Sequence, residues 1–464
     1  MLHPRRPAVF LTALSLSACA VYEPEPLDEA ALRAAYRSRA PDDASTVAFA
    51  ARLRAEGVVG APAVFDPVDG LSASEGEAVA LLFNPDLRLA RADLATADVA
   101  AALAGLPADP TLGVSSERIL ASVDDPWILG GTFGVSLPLS GRLDAERDLA
   151  DVERRLAAAD VLVAEWRVRH AVRRAFQAWR AETLRADVLA EHLARLATTA
   201  EVLDRRAAAG ETPRLETRLF ALESAARDAD LQVARGRAAE RELEIRALLG
   251  LAPSAPLALA GEAEAAPNID VVAASDGACA DHPEVVRARV AYAAAEAGLK
   301  LATARRTPDL GLTPGASWED GAMRALFGLA LPLPWRNGGR REAAEAASAR
   351  ARARFAFAAA AETAEARVAA AAARFATATR VRAALEASLA PLADAQWEET
   401  ARVAEARGFA PLPLLEGAGR RVDARLRLVD ARLEEDLAAI DWREAAGPFP
   451  RPASDSRPAS ETSR

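Results

Sequence analysis

The chain is poor in lysine, cysteine, methionine and histidine, and each shortage removes a class of protein. Two Cys, two Met and four His in 464 residues cannot furnish a disulfide framework or a zinc-finger array. Lysine occurs once, at Lys300, so arginine supplies the other 56 of the 57 basic residues, against 67 acidic ones. A net charge of −10 with no basic stripe excludes nucleic acid as a partner. No internal run approaches 18 uninterrupted apolar residues, which excludes a transmembrane helix. His-Glu-x-x-His, Cys-x-x-Cys and phosphate-loop motifs are absent. Gly134-Val135-Ser136-Leu137-Pro138 lacks the last glycine of a nucleophile elbow and precedes a helix instead of following a sheet. The expectation is a protein that is not an enzyme, with no cofactor and no metal site. What remains is 51% apolar, too rich for general disorder, and its Ala/Arg/Glu-rich text with 5% aromatics points to long helices.

The first nineteen residues read as an address. Arg5 and Arg6 form a basic n-region, and Ala8 to Leu16 an apolar stretch too short to span a bilayer. Leu16-Ser17-Ala18-Cys19 resembles the lipobox of bacterial lipoproteins, in which the cysteine is acylated and becomes the first residue. That resemblance implies a signal peptide at 1–18, lipidation at Cys19 and, with Ala20 rather than Asp following, delivery to the outer membrane. Cys279 is then left without an intramolecular partner, as a buried or inert thiol.

An internal repeat organises the rest. Asn84-Pro85-Asp86-Leu87 returns as His282-Pro283-Glu284-Val285, an offset of 198 positions (85 to 283). Pro110-Thr111-Leu112-Gly113 returns at the same offset as Pro308-Asp309-Leu310-Gly311, Gly141-Arg142 as Gly339-Arg340, and Gly210 as Gly408. Leu137-Pro138-Leu139 against Leu331-Pro332-Leu333 slips to 194, because copy two inserts Trp335-Arg336-Asn337-Gly338 before its glycine. The chain is a tandem duplication. Its segments are a signal at 1–18, an N-terminal periplasmic segment at 19–80, repeat one at 81–250, a linker at 251–281, repeat two at 282–447 and a disordered tail at 448–464.

Within copy one, Asn84 and Pro85 open a helix as N-cap and first helical residue, with a heptad seam of Leu87, Ala90, Leu94, Ala97 and Ala101. From Thr111 to Leu137 two apolar-enriched runs flank Asp124-Asp125-Pro126 and read as paired strands. A continuous helical pattern then runs from Gly141 to about Ala209, a rod of about 100 Å, with Trp166 and Trp179 among its seam residues. Its isolated His170 and His192 read as surface residues. Gly210-Glu211-Thr212-Pro213 breaks the rod, with Thr212 as N-cap and Pro213 at the first helical position. A return helix follows with Leu215, Leu219, Leu222, Ala226, Ala229 and Val233 on one seam, ending at Gly250. Copy two repeats this order: helix 283–305, strands near 309–317 and 325–333, rod 341–407, break at Gly408, return helix to about Ala446. The fold class is mainly α with a small β part, built as tandem-duplicated long helical hairpins plus two strand pairs.

A rod that long has no globular core on which to bury its seam, and four strands cannot close a barrel in lipid. Three chains supply twelve strands and twelve helical passes. The order of Asn-Pro-Asp-Leu helix, Pro-x-Leu-Gly strand, Leu-Pro-Leu, Gly-Arg, long helix, Ala-Ala-Gly-Glu turn and Leu248-Leu249-Gly250-Leu251 resembles that of the TolC-type outer-membrane efflux channels, over about residues 75–447. Leu331-Pro-Leu-Pro-Trp335-Arg-Asn-Gly338 also resembles the strand-to-rod junction of the metal-efflux branch, a phrase shared with drug and dye exporters.

The resemblance implies a homotrimer with a 12-stranded outer-membrane β-barrel continuous with a periplasmic α-helical barrel. It implies a passive conduit for small molecules or metal ions, partnered by a periplasmic adaptor, an inner-membrane efflux pump and outer-membrane lipid. The two helix breaks become periplasmic tips: Gly210, Pro213, Leu215 and Glu216, with Arg407, Gly408, Phe409, Leu412 and Leu415, read as adaptor-docking residues rather than simple helix terminators. The family's acidic residue six positions after the glycine is matched by Glu216, whereas copy two has Leu414 there. Trp127, Phe133, Trp318, Phe327 and Trp335 read as membrane-interface aromatics or as ordinary strand packing. The alternative is an outer-membrane lipoprotein whose coiled-coil rods space or tether the envelope. The adaptor itself is a third reading, set aside because the text between the helices shows only short strand pairs.

Overall fold

A computed structural model describes residues 22–57, 62, 64–118, 120, 127–260, 278–319, 322–407 and 411–448, apart from the side chains of 278, 279 and 404–407. Segment 1–18, Cys19, the loop residues Asp124 to Pro126, most of the linker, Gly408, Phe409 and the tail beyond Pro448 lie outside the described residues, as does the Cys279 side chain. Helices α1 (Glu29–Arg37), α2 (Ala44–Ala55) and α3 (Ala73–Phe83) precede the repeats. Copy one is α4 (Pro85–Leu103), β1 (Thr111–Arg118), β2 (Trp127–Leu137), α5 (Arg142–Ala208) and α6 (Arg214–Leu248). Copy two is α7 (Pro283–Ala304), β3 (Leu310–Glu319), β4 (Ala322–Ala330), α8 (Arg340–Ala384), α9 (Ala390–Arg407) and α10 (Pro411–Ala446).

The two copies are launched by matched caps. The Asn84 Oδ1 accepts from the amides of Asp86 and Leu87, while its Nδ2 donates to the Leu248 carbonyl at 2.8 Å. His282 does the same work with a ring: Nδ1 accepts from the Glu284 amide at 3.2 Å, and Nε2 donates to the Glu444 carbonyl at 3.1 Å. Each residue thus starts one helix and ties it to the end of its own return helix. The α4 seam packs on α5 as its 3–4 spacing requires, with Leu87 fully buried.

A core forms where α3, α5 and α6 meet. Leu71, Val79, Val172, Phe176, Ile245 and Leu249 pack together there, and Leu251, Ala252 and Ala255 from the start of the linker join them. Leu71 and Leu259 form a parallel bridge, so the start of the linker, through Leu257 and Leu259, packs against this core. The capping box of Ser72 and Glu75 sets α3, which runs across position 80 without a break. From there α5 extends as 67 residues, about 100 Å, with α6 and α10 beside it.

Several sequence expectations need correction. Pro213 is the N-cap of α6 in extended conformation (ψ 138°) and Arg214 its first helical residue, one position later than the Thr212–Pro213 reading. The α6 seam is Phe220, Leu231, Ala234 and Ile245, not Leu215 to Val233. The leucine-rich stripe is exposed at Leu215, Leu222, Ala226, Ala229 and Val233, and on another side of the helix Arg227 pairs with Glu223 and with Asp423 of α10. Strand β3 runs on to Glu319 and β4 starts at Ala322, so the two lie closer together in sequence than the expected strands near 309–317 and 325–333.

The copy-two rod is interrupted by a π-helical turn, Leu385–Leu389, where the Ala390 amide reaches the Leu385 carbonyl. Pro391 causes it, since proline supplies no amide and its ring clashes with the carbonyl four residues back. His170 and His192 are not surface residues: they are 5% and 7% exposed, covered by packing from α10 and neighbouring helices.

Candidate channel wall and helical tip

Among the described residues no helix is long and apolar enough to cross a membrane. The four strands form one antiparallel sheet in the order β1-β2-β3-β4, and the two hairpins meet at β2–β3. Side chains alternate across a strand, and direct cross-strand partners share a face, so the register sorts every residue.

One face carries Leu112 and Val114 of β1; Trp127, Leu129, Phe133, Val135 and Leu137 of β2; Leu310, Leu312 and Trp318 of β3; and Met323, Phe327 and Leu329 of β4. The other carries Thr111, Gly113, Ser115, Gly130, Thr132, Gly134, Ser136, Gly311, Thr313, Gly315, Ser317 and Gly328, with Ile128 and Leu326 as its large apolar exceptions. Its charges, Glu117, Glu319 and Arg324, gather at the end away from the helices, where Arg324 pairs with Glu319 at 2.5 Å. Among the described residues no helix packs extensively on either face, and the apolar one is exposed at Leu112, Val114, Leu129, Phe327 and Leu329 alike.

Trp127, Phe133, Trp318 and Phe327 therefore all lie on the apolar face, with the Arg118 guanidinium 5.5 Å from the Trp127 ring. Trp335 lies past the sheet, on the segment leading to α8. The polar look of Ser115-Ser116-Glu117-Arg118 comes from residues of both faces at the loop end of β1. β2, β3 and β4, at eleven, ten and nine residues, have the length of a tilted bilayer-crossing strand of about 9–11, and β1, at eight, is just short of it. β1 and β4 each leave an edge unpaired by any described strand.

At the opposite end of the molecule lies the helical tip. Gly210 closes α5 in left-handed conformation (φ 77°), and the Glu211 amide bonds the Arg206 carbonyl at 2.9 Å, a Schellman-type closure. Leu215 is exposed and Glu216 half-buried. In copy two Arg407 ends α9, Leu412 is exposed, and Leu415 packs on a small core of Leu196, Leu203, Phe220, Leu414 and Ala418 that joins the two hairpins. Leu414, the counterpart of Glu216, is thus an interior residue, while Glu416 pairs with Arg420 at 2.5 Å.

Above the tip the helices are laced by charge. Glu191 of α5 lies 2.9 Å from Arg425 and Asp394 of α9 lies 2.5 Å from Arg421, binding α5, α9 and α10 together. Higher up, Arg174 reaches Asp441 and Glu444, while Glu284 bridges Arg167 and Arg367. Burial pushes the His170 imidazole down to about 4, with its Nδ1 2.8 Å from the Trp166 carbonyl oxygen and its ring packed on the Trp166 ring. His192 and His282 are lowered for the same reason. These neutral histidines are packing and capping residues; among the described residues no cluster of His, Cys, Asp and Glu could hold a metal ion. Sequence reasoning named the aromatics but missed the aliphatic half of the apolar face, which the even–odd alternation from 127 to 137 carries.

No family model and no curated protein matches the sequence. Solved structures do match in fold. A membrane protein from Pseudomonas aeruginosa superposes with a TM-score of 0.69 at 19% identity, over 81% of this chain and 90% of that one. CusC, studied for transmembrane channel formation, gives 0.67 at 16%, over 81% and 92%. The open state of the Neisseria gonorrhoeae MtrE outer membrane channel gives 0.63 at 16%, over 83% and 93%. The fold is that of the TolC-type outer-membrane efflux channels, and none of these structures is described as an enzyme.

Proposed function

We propose that this chain is the outer-membrane channel of a tripartite efflux system, lipid-anchored at Cys19 and assembled as a homotrimer. The observation that carries the reading is the two-faced sheet with two free edges. Lipid accepts β-structure only as a closed barrel, because an open edge leaves amides and carbonyls without partners. Four strands are too few, and three copies joining β4 of one to β1 of the next supply twelve. The apolar face then meets lipid and the Gly/Ser/Thr face lines a water-filled lumen. An envelope spacer has no use for such a sheet.

The same assembly gives the outward stripe of α6 a partner. Leu222 is 67% exposed, and Leu215, Ala226, Ala229 and Val233 share its face. In the trimer this stripe packs on the neighbouring chain's long helices, whose exposed Phe355 and Val381 offer matching apolar surface. Trp127, Phe133, Trp318, Phe327 and Trp335 sit in the bilayer or at its borders. The tips around Gly210, Pro213, Leu215 and Glu216, and around Arg407 to Leu415, dock the periplasmic adaptor, which links the channel to an inner-membrane pump. Energy and cargo choice, among small molecules or metal ions, belong to those partners, since this chain carries no nucleotide motif.

Two measurements test this. The purified protein in a planar bilayer should conduct ions; an assembled, inserted protein that never conducts would contradict the channel. Gly210→Val and Gly408→Val should each depress export with membrane insertion unchanged, because a β-branched residue resists the left-handed conformation a helix-closing glycine adopts. Normal export by both at normal protein level would remove the docking role.

A further inference from the structure

The junctions between sheet and rod differ between the copies in a way that the barrel alone does not require. In copy one, Leu137-Pro-Leu139-Ser-Gly141 turns directly into α5, and Arg142 is held by Asp309 and Glu146, both at 2.8 Å. In copy two the apolar alternation of β4 continues past its end through Leu331 and Leu333 to Trp335, which is 86% exposed. Arg340 occupies the place of Arg142, but the counterpart of Glu146 is Ala344, and Arg340 has no carboxylate partner among the described residues. Arg336 is likewise exposed without one. Arg306 lies across Gly339, and its guanidinium donates to the Gly338 carbonyl at 3.1 Å and meets no carboxylate among the described residues. Arg336 and Arg340 thus lie on the short segment that follows an exposed tryptophan at the foot of the apolar face, and Arg306 lies against that segment.

We infer that the copy-two junction is a binding site for an anionic phospholipid of the inner leaflet of the outer membrane. Leu331 and Leu333 extend the acyl-contacting stripe beyond the last strand hydrogen bonds. Trp335 sits at the headgroup level, where an indole finds both apolar and wet surroundings. Arg306, Arg336 and Arg340 take the phosphate, which guanidinium donors match in charge and geometry. The occupant is a lipid rather than a soluble anion because Arg336 and Arg340 follow directly after the lipid-facing stripe of Leu331, Leu333 and Trp335. The site rests on the barrel reading of the sheet, which fixes where the bilayer ends.

The test uses the full-length protein in vesicles of phosphatidylethanolamine and phosphatidylglycerol. Native mass spectrometry after detergent extraction counts the phosphatidylglycerol retained per chain. Arg336→Gln/Arg340→Gln should lower that retention roughly thirtyfold, each basic residue near a membrane counting about fivefold, and Trp335→Ala should lower it further. Arg306 is left in place because its bond to Gly338 supports the loop. Unchanged retention in the double variant, with the protein still membrane-embedded, would overturn the lipid site alone. Release of the wild-type protein by an alkaline wash without detergent would instead overturn the barrel reading. Displacement of the lipid by excess inorganic phosphate would assign the guanidiniums to a free anion and also overturn the proposal.

Discussion

The two copies of the repeat share an order of elements and diverge in what those elements touch. Their return helices show it best. In α6 the inward seam holds Phe220 and Leu231, and at the same offset α10 holds Ala418 and Val429, all buried. The outward positions differ: Leu222 of α6 is matched by Arg420 of α10, and Glu244, exposed in α6, by Trp442, which is 2% exposed. α10 is clasped between α5 and α8, whereas α6 packs mainly on α5 and shows its other side to solvent. Duplication kept the seam that makes each hairpin. It let the second face of each return helix specialise, one for the chain's interior and one for what lies beside the chain.

The largest effect expected from this difference is on assembly. Leu222→Glu with Val233→Glu should abolish the trimer in a native mass measurement while helix content by circular dichroism stays unchanged; Arg420→Glu should leave the trimer in place. Equal outcomes for the two return helices would erase the distinction. On stability, Trp442→Ala should cost about 3–5 kcal/mol, whereas Glu244→Ala, which removes one exposed pair with Arg241, should cost roughly 0–1 kcal/mol. Denaturant titration of both variants in the same detergent reads the contrast.

Smaller than the loss at Trp442 is the cost of closing the copy-one rod without glycine. Gly210→Ala should destabilise by about 1–2 kcal/mol through backbone strain alone, since the Cβ would meet no atom within 4 Å. A shift confined to hydrogen exchange near the tip supports this; a global shift would not.

The smallest effect separates the caps. Asn84 does not titrate, but His282 caps α7 only while neutral, with Glu284, Glu444 and Arg367 as its charged neighbours. Its folded pKa lies below the unfolded 6.5, so its contribution is complete above 6.5 and fades as pH falls below that value. His170 adds a loss of the same sign that runs from 6.5 through about 4. His282→Asn should hold stability near neutral pH and flatten the acid limb by about 1 kcal/mol, the worth of one cap. An unchanged acid limb would show that His282 does not titrate on unfolding.

Much of this fold was legible in the residues because its signals are local. Asn84-Pro85, Gly210 and the 3–4 stepping from Leu87 to Ala101 each dictate structure within a turn or two. The α6 seam was not, because two faces of that helix carry apolar residues and the richer stripe is the one turned outward. Pro391 announced the π turn in plain text, yet the surrounding alanines and arginines kept the helical period and hid it. The burial of His170 and His192 depends on α10, some 250 residues away in the chain. The wall of the candidate channel was half legible: the aromatics stood out, while Leu129, Val135, Leu312 and Met323 acquire meaning only once the register assigns them to one face.

The central claim is that the sheet is one third of a barrel. The native mass of the detergent-extracted, membrane-derived protein tests it most directly. Three chains, about three times 48.8 kDa less any removed signal segments, is the mass the account predicts. A monomer or dimer released without strong detergent would leave β1 and β4 with open edges in lipid, and would contradict it.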